Sequence, residues 1–368
     1  MRDVRYTIHG VASVSVLDAS PTEIAAVTRQ LGTPGDDRPS EPDIVIRFVE
    51  RLAGSGPLTY AGSDAAFDED GFFLFAGTGG RGRARVPLDR IGERVEITCE
   101  RSVAAVPLLL PILSVVMLKK RVLSLHASAF VFRNTGVAVL GWPRGGKTSA
   151  LVGFMAEGAQ FVADDRVFVG EEGENLSGVR GPLEIRAWHV ADQPKYRARL
   201  GRAERARLRA VGPVSRLETL TAAGAPERRR LGRRWSRVVR SLKDELSVEV
   251  DPERLFGRTN APSSRLDRLF VTMTHSVPDV VVGPLDRDEA RRRIAYLLQH
   301  ERLPLIDAYA RFRFAFPHAE SSLLERVEEL ERDVLARVLA ETPVFTVRHP
   351  HAVPTRKLYQ AMLPYCAR

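Results

Sequence analysis

Cysteine is scarce in this chain: 368 residues hold only Cys99 and Cys366, far apart and in no metal-binding spacing. That excludes a disulfide framework or a cysteine-rich zinc module and points to a reducing, cytosolic setting. The N-terminus, MRDVRYTIHG, lacks the apolar core of a signal peptide. Long hydrophobic runs are missing too, with one exception, Val103 to Leu118 (VAAVPLLLPILSVVML). It is shorter than the roughly 20 residues a spanning helix needs, and Pro107 and Pro111 interrupt it. A buried core segment is expected there, in a soluble, cytoplasmic protein with no membrane span. Lysine is rare: it supplies six of 55 basic residues. Arginine fills the gap unevenly. Residues 197–240 hold fourteen arginines against Glu204, Glu218 and Glu227, a local +11 within a formal net charge of +9. Such a segment attracts phosphate, nucleic acid or an acidic peptide, or is a solvated helix face. Tyr196 and Trp235 alone interleave it, so a base-stacking surface for single strands is not expected. No zinc pattern or recognition helix accompanies it.

What is present reads as α/β. Residues 1–100 form a β-rich module, with RYTIHGVASVSV, PDIVIRFV, DGFFLFAG, ARVPLD and RVEITCE as strands and a flexible link at 32–43. From 101 to 368 strands alternate with helices around a glycine-rich loop. LSLHASAFVF and TGVAVLG are strand-like, with a turn at Asn134-Thr135-Gly136. Thr148 to Glu157 reads as a helix ended by Gly158, and QFVADDRVFV as the next strand. GPLEIRAW is a strand or an ordered loop. RLDRLFVTMTH and PVFTVRH are later strands, and DRDEARRRIAYLLQHE, SSLLERVEELERDVLARVLAE and PTRKLYQAML are helices.

The stretch from Gly141 to Thr148, GWPRGGKT, fits G-x-x-x-x-G-K-[ST]. Converging backbone N–H groups need glycines where a Cβ would block a phosphate or where φ is positive. Gly141, Arg144, Gly145, Gly146, Lys147, Thr148 and Ser149 are therefore the candidate nucleotide contacts. Lys147 contributes charge toward the β- and γ-phosphates, Thr148 a hydroxyl for Mg²⁺, and the following helix its N-terminal dipole. Asp164 and Asp165 close the next strand. One carboxylate there holds Mg²⁺ or its water; its neighbour is free to act as a general base, or is merely solvated.

LHASAFVF, GWPRGGKTS, QFVADDRVFV and GPLEIRAW, in that order, resemble the HPr kinase/phosphorylase superfamily, and in particular its shorter serine-kinase-like relatives. The resemblance covers residues 121–190 well and 245–368 by general pattern. It implies a P-loop kinase core of the HPr kinase/PEP carboxykinase type, with ATP and Mg²⁺ as cofactors. By position, Lys147 would hold phosphates, while Thr148, Asp164 and Glu184 would serve the metal. Asp165 would be the acid/base, His126 would sit beside the reacting phosphate, and Arg186 would stabilise the transferring group. It also implies oligomers. Residues 190–240, which include the arginine-rich insertion, lack the family's next segment and its catalytic arginine. Residues 1–100 do not read as the sensor domain of the full-length enzymes. The function expected is ATP-dependent phosphorylation of a Ser/Thr hydroxyl in a peptide or protein. The alternatives are a small-molecule hydroxyl kinase, or a nucleotide-dependent switch that binds nucleic acid or a partner through its arginines.

Overall fold

The computed structural model describes residues 2–35, 41–52, 56–76, 82–179, 181–210, 246–257 and 264–366. Most of the arginine-rich segment, from 211 onward, and the centre of the link at 32–43 lie outside the described residues.

Among the described residues, the first hundred positions carry eight strands: β1 (Arg2–Ile8), β2 (Ala12–Ala19), β3 (Ile44–Val49), β4 (Thr59–Tyr60), β5 (Ala65–Asp68), β6 (Gly71–Ala76), β7 (Gly82–Arg85) and β8 (Val95–Glu100). They form one mixed sheet in the order β1-β2-β3-β8-β7-β6-β5-β4. RYTIHGVASVSV, expected as one strand, is a hairpin. His9 and Gly10 take left-handed φ values of 51° and 70° and turn the chain between β1 and β2. A helix not expected in this module, α1 (Pro21–Leu31), follows. Its start is explained by a capping box: Ser20 accepts from the Glu23 N–H, and the Glu23 carboxylate accepts from the Ser20 N–H at 2.6 Å.

The apolar run after Glu100 becomes α2 (Leu109–Lys119), with Ile112, Leu113, Val115, Val116, Met117 and Leu118 buried. Pro111 falls in the first turn, where no intrahelical donor is needed. Among the described residues no helix is long and apolar enough to cross a membrane.

The remaining strands are β9 (Val122–Leu125), β10 (Ala127–Phe132), β11 (Thr135–Gly141), β12 (Gln160–Ala163), β13 (Val167–Gly170), β14 (Ser177–Gly178), β15 (Leu183–Arg186), β16 (Ser247–Val250), β17 (Arg268–His275), β18 (Val281–Pro284) and β19 (Val344–Pro350). A six-stranded sheet runs β12-β10-β11-β17-β19-β18, with β11, β17 and β19 mutually parallel. The β10–β11 turn lies at Arg133-Asn134, both left-handed, one residue before the expected position. Thr135 and Gly136 already pair with β10. The principal helices here are α3 (Lys147–Ala156), α4 (Arg287–Ala315), α5 (Val327–Glu341) and α6 (Thr355–Cys366).

Period-two alternation divides this sheet's side chains between two cores. Phe130, Phe132, Val137 and Val139 face α3 and α6. Ala127, Ala129, Val131, Ala138 and Leu140 face the other way, into a cluster that also holds residues of α2, α4, α5 and the N-terminal sheet. Tyr6, Val14, Ile46 and Ile97 of that sheet are thus continuous with Leu109, Leu298 and Val334. Phe72 packs edge-on against Phe312 of α4 at 5.9 Å, and the Ser321 hydroxyl donates to the Ile91 carbonyl at 2.7 Å.

A shared core predicts shared unfolding. All three tryptophans, Trp142, Trp188 and Trp235, lie beyond residue 100. Phe72→Ala should destabilise by about 3–5 kcal/mol. Urea titrations read by tryptophan fluorescence should shift as a single transition. A tryptophan transition left unmoved would mean that the N-terminal sheet unfolds separately.

Candidate active site

Two stretches that read as continuous strands are each broken, and the breaks carry candidate site residues. LSLHASAFVF divides into β9 and β10 at His126, and QFVADDRVFV into β12 and β13 at Asp164-Asp165-Arg166. The reason is a change of sheet. β10 pairs with β12 in the six-stranded sheet, whereas β9 pairs with β13 in a separate three-stranded one. Ala129 lies opposite Ala163, and Leu125 opposite Val167, so both chains cross between sheets at one level. Asp165 absorbs the redirection with φ 76°. The two carboxylates diverge there, Asp164 toward the core and Asp165 toward solvent.

The glycine loop follows β11. A Cβ on Gly141 would lie 2.2 Å from Thr272 Oγ1, so β11 and β17 close together only over a glycine. Gly146 has φ 97°, and a Cβ there would lie 2.2 Å from His349 Nε2. His349, buried on β19, also contacts the Gly145 carbonyl at 2.9 Å and supports the loop from below. Lys147 opens α3. It is buried, and its Nζ donates to the carbonyls of Gly141 at 2.9 Å and Trp142 at 3.2 Å. Burial lowers its pKa, opposed by the charges of Asp164, Asp165 and Glu301. The ammonium is thus held at the mouth of the loop by two weak acceptors.

Asp164 accepts from Thr148 Oγ1 at 3.0 Å and from the Ser128 hydroxyl. Burial raises its carboxyl above the ordinary value, against the pull of those two hydroxyls. Asp165 Oδ1 lies 3.2 Å from His126 Nε2, and His126 Nδ1 lies 2.7 Å from Glu301 Oε1 on α4. Burial works to raise the Glu301 carboxyl, but the hydrogen bond and charge of His126, with Arg166 and His300, hold it below its ordinary value. The next residue back, His300, packs on Trp142 of the loop with ring centroids 4.7 Å apart.

GPLEIRAW supplies the opposite wall as a strand, β15. Glu184 and Arg186, two residues apart, share its face and are ion-paired at 2.5 Å. The Arg186 guanidinium lies over Trp188 at 5.6 Å, and Glu249 of β16 stands opposite Glu184. His189 accepts from the Arg186 backbone N–H through Nδ1 at 3.2 Å. Its pKa is pushed down to about 3 by burial, with the Arg186 charge adding to the effect.

One cleft of ≈ 550 Å³ unites these groups. Its lining includes His126, Arg144, Gly145, Gly146, Lys147, Thr148, Ser149, Asp164, Asp165, Glu184 and Arg186. Of the candidates, Gly141 alone is not in the lining; it lies beneath, with its carbonyl on Lys147. Trp188, His189, Glu249, His349 and Glu301 were not foreseen. Trp188 and His189 directly follow the Glu-x-Arg and could have been read with it. Glu301 stands 175 positions from its partner His126, inside a segment legible only as helix. Among the described residues no group of three or more His, Cys, Asp or Glu could hold a metal by itself. Neither the family models nor the curated proteins searched match this chain.

The buried neutral His189 makes stability depend on pH. Its folded pKa of about 3 lies below the unfolded value of roughly 6.5, so the unfolded chain binds the extra proton. Its contribution is complete above pH 6.5 and falls by about 1.4 kcal/mol per unit on acidification toward pH 3. Between pH 7 and 5 the wild type should lose about 2 kcal/mol more than His189→Asn in urea titrations. Parallel losses would contradict this.

Proposed function

We propose that this protein is an ATP-dependent kinase with a P-loop core of the HPr kinase/PEP carboxykinase type, transferring the γ-phosphoryl group to a Ser/Thr hydroxyl of a peptide or protein. The observation that carries the reading is the pair of broken strands. They turn one carboxylate, Asp164, onto the Thr148 hydroxyl at the phosphate loop and leave the other, Asp165, in the same cleft against His126. The motif order shared with the HPr kinase/phosphorylase superfamily supports the same conclusion.

The residues fit Mg-ATP. The loop is drawn down onto His349, where a Cβ at Gly146 would collide with Nε2, so only glycine permits this shape. The N-terminus of α3 presents Thr148 and Ser149 to the cleft. Lys147, bonded to the loop carbonyls of Gly141 and Trp142, is positioned to exchange them for phosphate oxygens. Thr148 and Asp164 would hold Mg²⁺, with Glu184 reaching it from the facing wall. When bound, the metal neutralises charge on the β- and γ-phosphates. Four carboxylates, Asp164, Asp165, Glu184 and Glu249, line this cleft and give it a negative charge that attracts cations, although no three of them are grouped closely enough to hold a metal by themselves.

Asp165 takes the proton from the attacking hydroxyl. Lys147 and Arg186 stabilise charge on the equatorial oxygens, where a loose transition state spreads it. His126 orients Asp165. A cytoplasmic setting agrees with Cys99 and Cys366, both unpaired and buried. The described part of the arginine-rich segment, 197–210, flanks the cleft's Arg186–His189 wall in sequence, and we assign it to acceptor recognition.

Lys147 is buried, so Lys147→Met is the appropriate probe: it keeps the side-chain volume and removes the charge. Calorimetry should find Mg-ATP affinity lost with the fold intact; unchanged affinity would refute the cradle. Asp165→Asn should bind Mg-ATP nearly normally while phosphoryl transfer falls on the order of 10²–10⁴-fold. Transfer is read by mass spectrometry of phosphosites after incubation with ATP and lysate proteins. Undiminished transfer would remove Asp165 from the chemistry.

A further inference from the structure

We infer that Glu301 is a positioning residue of the phosphoryl-transfer step, acting through His126 on Asp165; this rests on the kinase reading above. The three side chains come from three separate parts of the chain: the β9–β10 break, the β12–β13 break and the middle of α4. Glu301 Oε1 lies 2.7 Å from His126 Nδ1, and His126 Nε2 lies 3.2 Å from Asp165 Oδ1. A carboxylate at Nδ1 is served only by an N–H, so Glu301 selects the tautomer protonated at Nδ1. Nε2 then carries a lone pair, which accepts from Asp165 Oδ1 once that carboxyl has taken up the acceptor's proton.

The arrangement matters because Asp165 is a poor candidate for rigid placement alone. Its side chain is 65% exposed and it sits on a left-handed turn. An exposed carboxylate rotates freely unless a partner holds it. His126 becomes that partner as Asp165 receives the proton, and its ring would itself rotate without Glu301. Glu301 in turn is fixed by α4, whose His300 packs on Trp142 of the phosphate loop. Adjacent residues of one helix thus grip the loop and the base together. Arg166, at 3.9 Å from the second Glu301 oxygen, helps to hold it from behind.

The proton balance follows. As the acceptor oxygen bonds to the γ-phosphorus, the bond from that phosphorus to the β–γ bridging oxygen breaks and its electron pair leaves with ADP. The acceptor's O–H bond breaks in the same step, and the proton passes to Asp165. It then lies between Asp165 Oδ1 and His126 Nε2. If Nε2–H forms, the imidazolium stands between two carboxylates, and the Glu301 charge stabilises it. The proton leaves to solvent when product departs.

The test uses the full-length protein carrying ¹⁵N-labelled histidine, with Mg-ATP and water as the acceptor. In wild type the His126 resonances should report the Nδ1–H form. Glu301→Ala should return His126 to the mixed tautomers of free imidazole and lower kcat for Mg-ATP hydrolysis about 10- to 100-fold, with KM little changed. Glu301→Gln, whose amide oxygen still accepts from Nδ1–H, should keep the tautomer and lose less of kcat. An unchanged tautomer in Glu301→Ala, or a rise in KM at constant kcat, would overturn the proposal while leaving the kinase reading intact. A wild-type protein that neither binds nor turns over Mg-ATP would overturn the kinase reading itself, and this proposal with it.

Discussion

The cleft depends on one constraint: two neighbouring strands leave one sheet for another at the same level. Hydrogen-bond pairing must lapse where they cross, and the residues at the crossing are His126 and Asp164–Arg166. A regular strand would turn adjacent side chains to opposite faces and bury one carboxylate without partners. The break lets Asp164 turn inward onto two hydroxyls while Asp165 turns out to the cleft. The same crossing sets the β9–β10 break beside the loop that follows β11, so the glycine loop and the carboxylates meet in one cleft without a long connection.

Much of this arrangement is legible in the sequence. Glycine spacing reveals the loop because a backbone that must approach an anion closely has few substitutes. The Asp pair is visible because two charges at the end of an apolar run need a reason. Less legible is where strands stop. Both broken strands keep β-branched and aromatic residues on either side of the break, and local propensity sees no interruption. The β1–β2 hairpin was hidden for a related reason, since Gly10 is a lone turn signal inside an otherwise strand-like run and His9 beside it has no strong turn preference. Helix α1 was masked by the surrounding strand signals, although Ser20, Pro21 and Glu23 spell a helix start. Glu301 had no local signal at all. Its role comes from the tertiary meeting of α4 with the β9–β10 break, which no spacing rule encodes.

The charges explain why the fold tolerates such a site. Each buried polar group of the cleft floor has a partner: Asp164 has two hydroxyls, Lys147 two carbonyls, and His189 a backbone N–H. The exposed carboxylates Asp165 and Glu184 are paired with His126 and Arg186. These pairings satisfy the charged and polar groups that line the cleft. The N-terminal sheet contributes from a distance. Sharing a core with α4, it fixes the helix whose middle turn carries His300 and Glu301.

On our proposal, the broken strands and the glycine loop form one site for a magnesium nucleoside triphosphate. A crystal structure with Mg²⁺ and a non-hydrolysable ATP analogue tests it most directly. The account predicts phosphates on the N-terminus of α3, Lys147 transferred from the loop carbonyls to phosphate oxygens, the cation at Thr148 and Asp164, and Asp165 beside the γ-phosphate. An analogue bound elsewhere, or bound here with Asp165 turned away from the γ-phosphate, would contradict it.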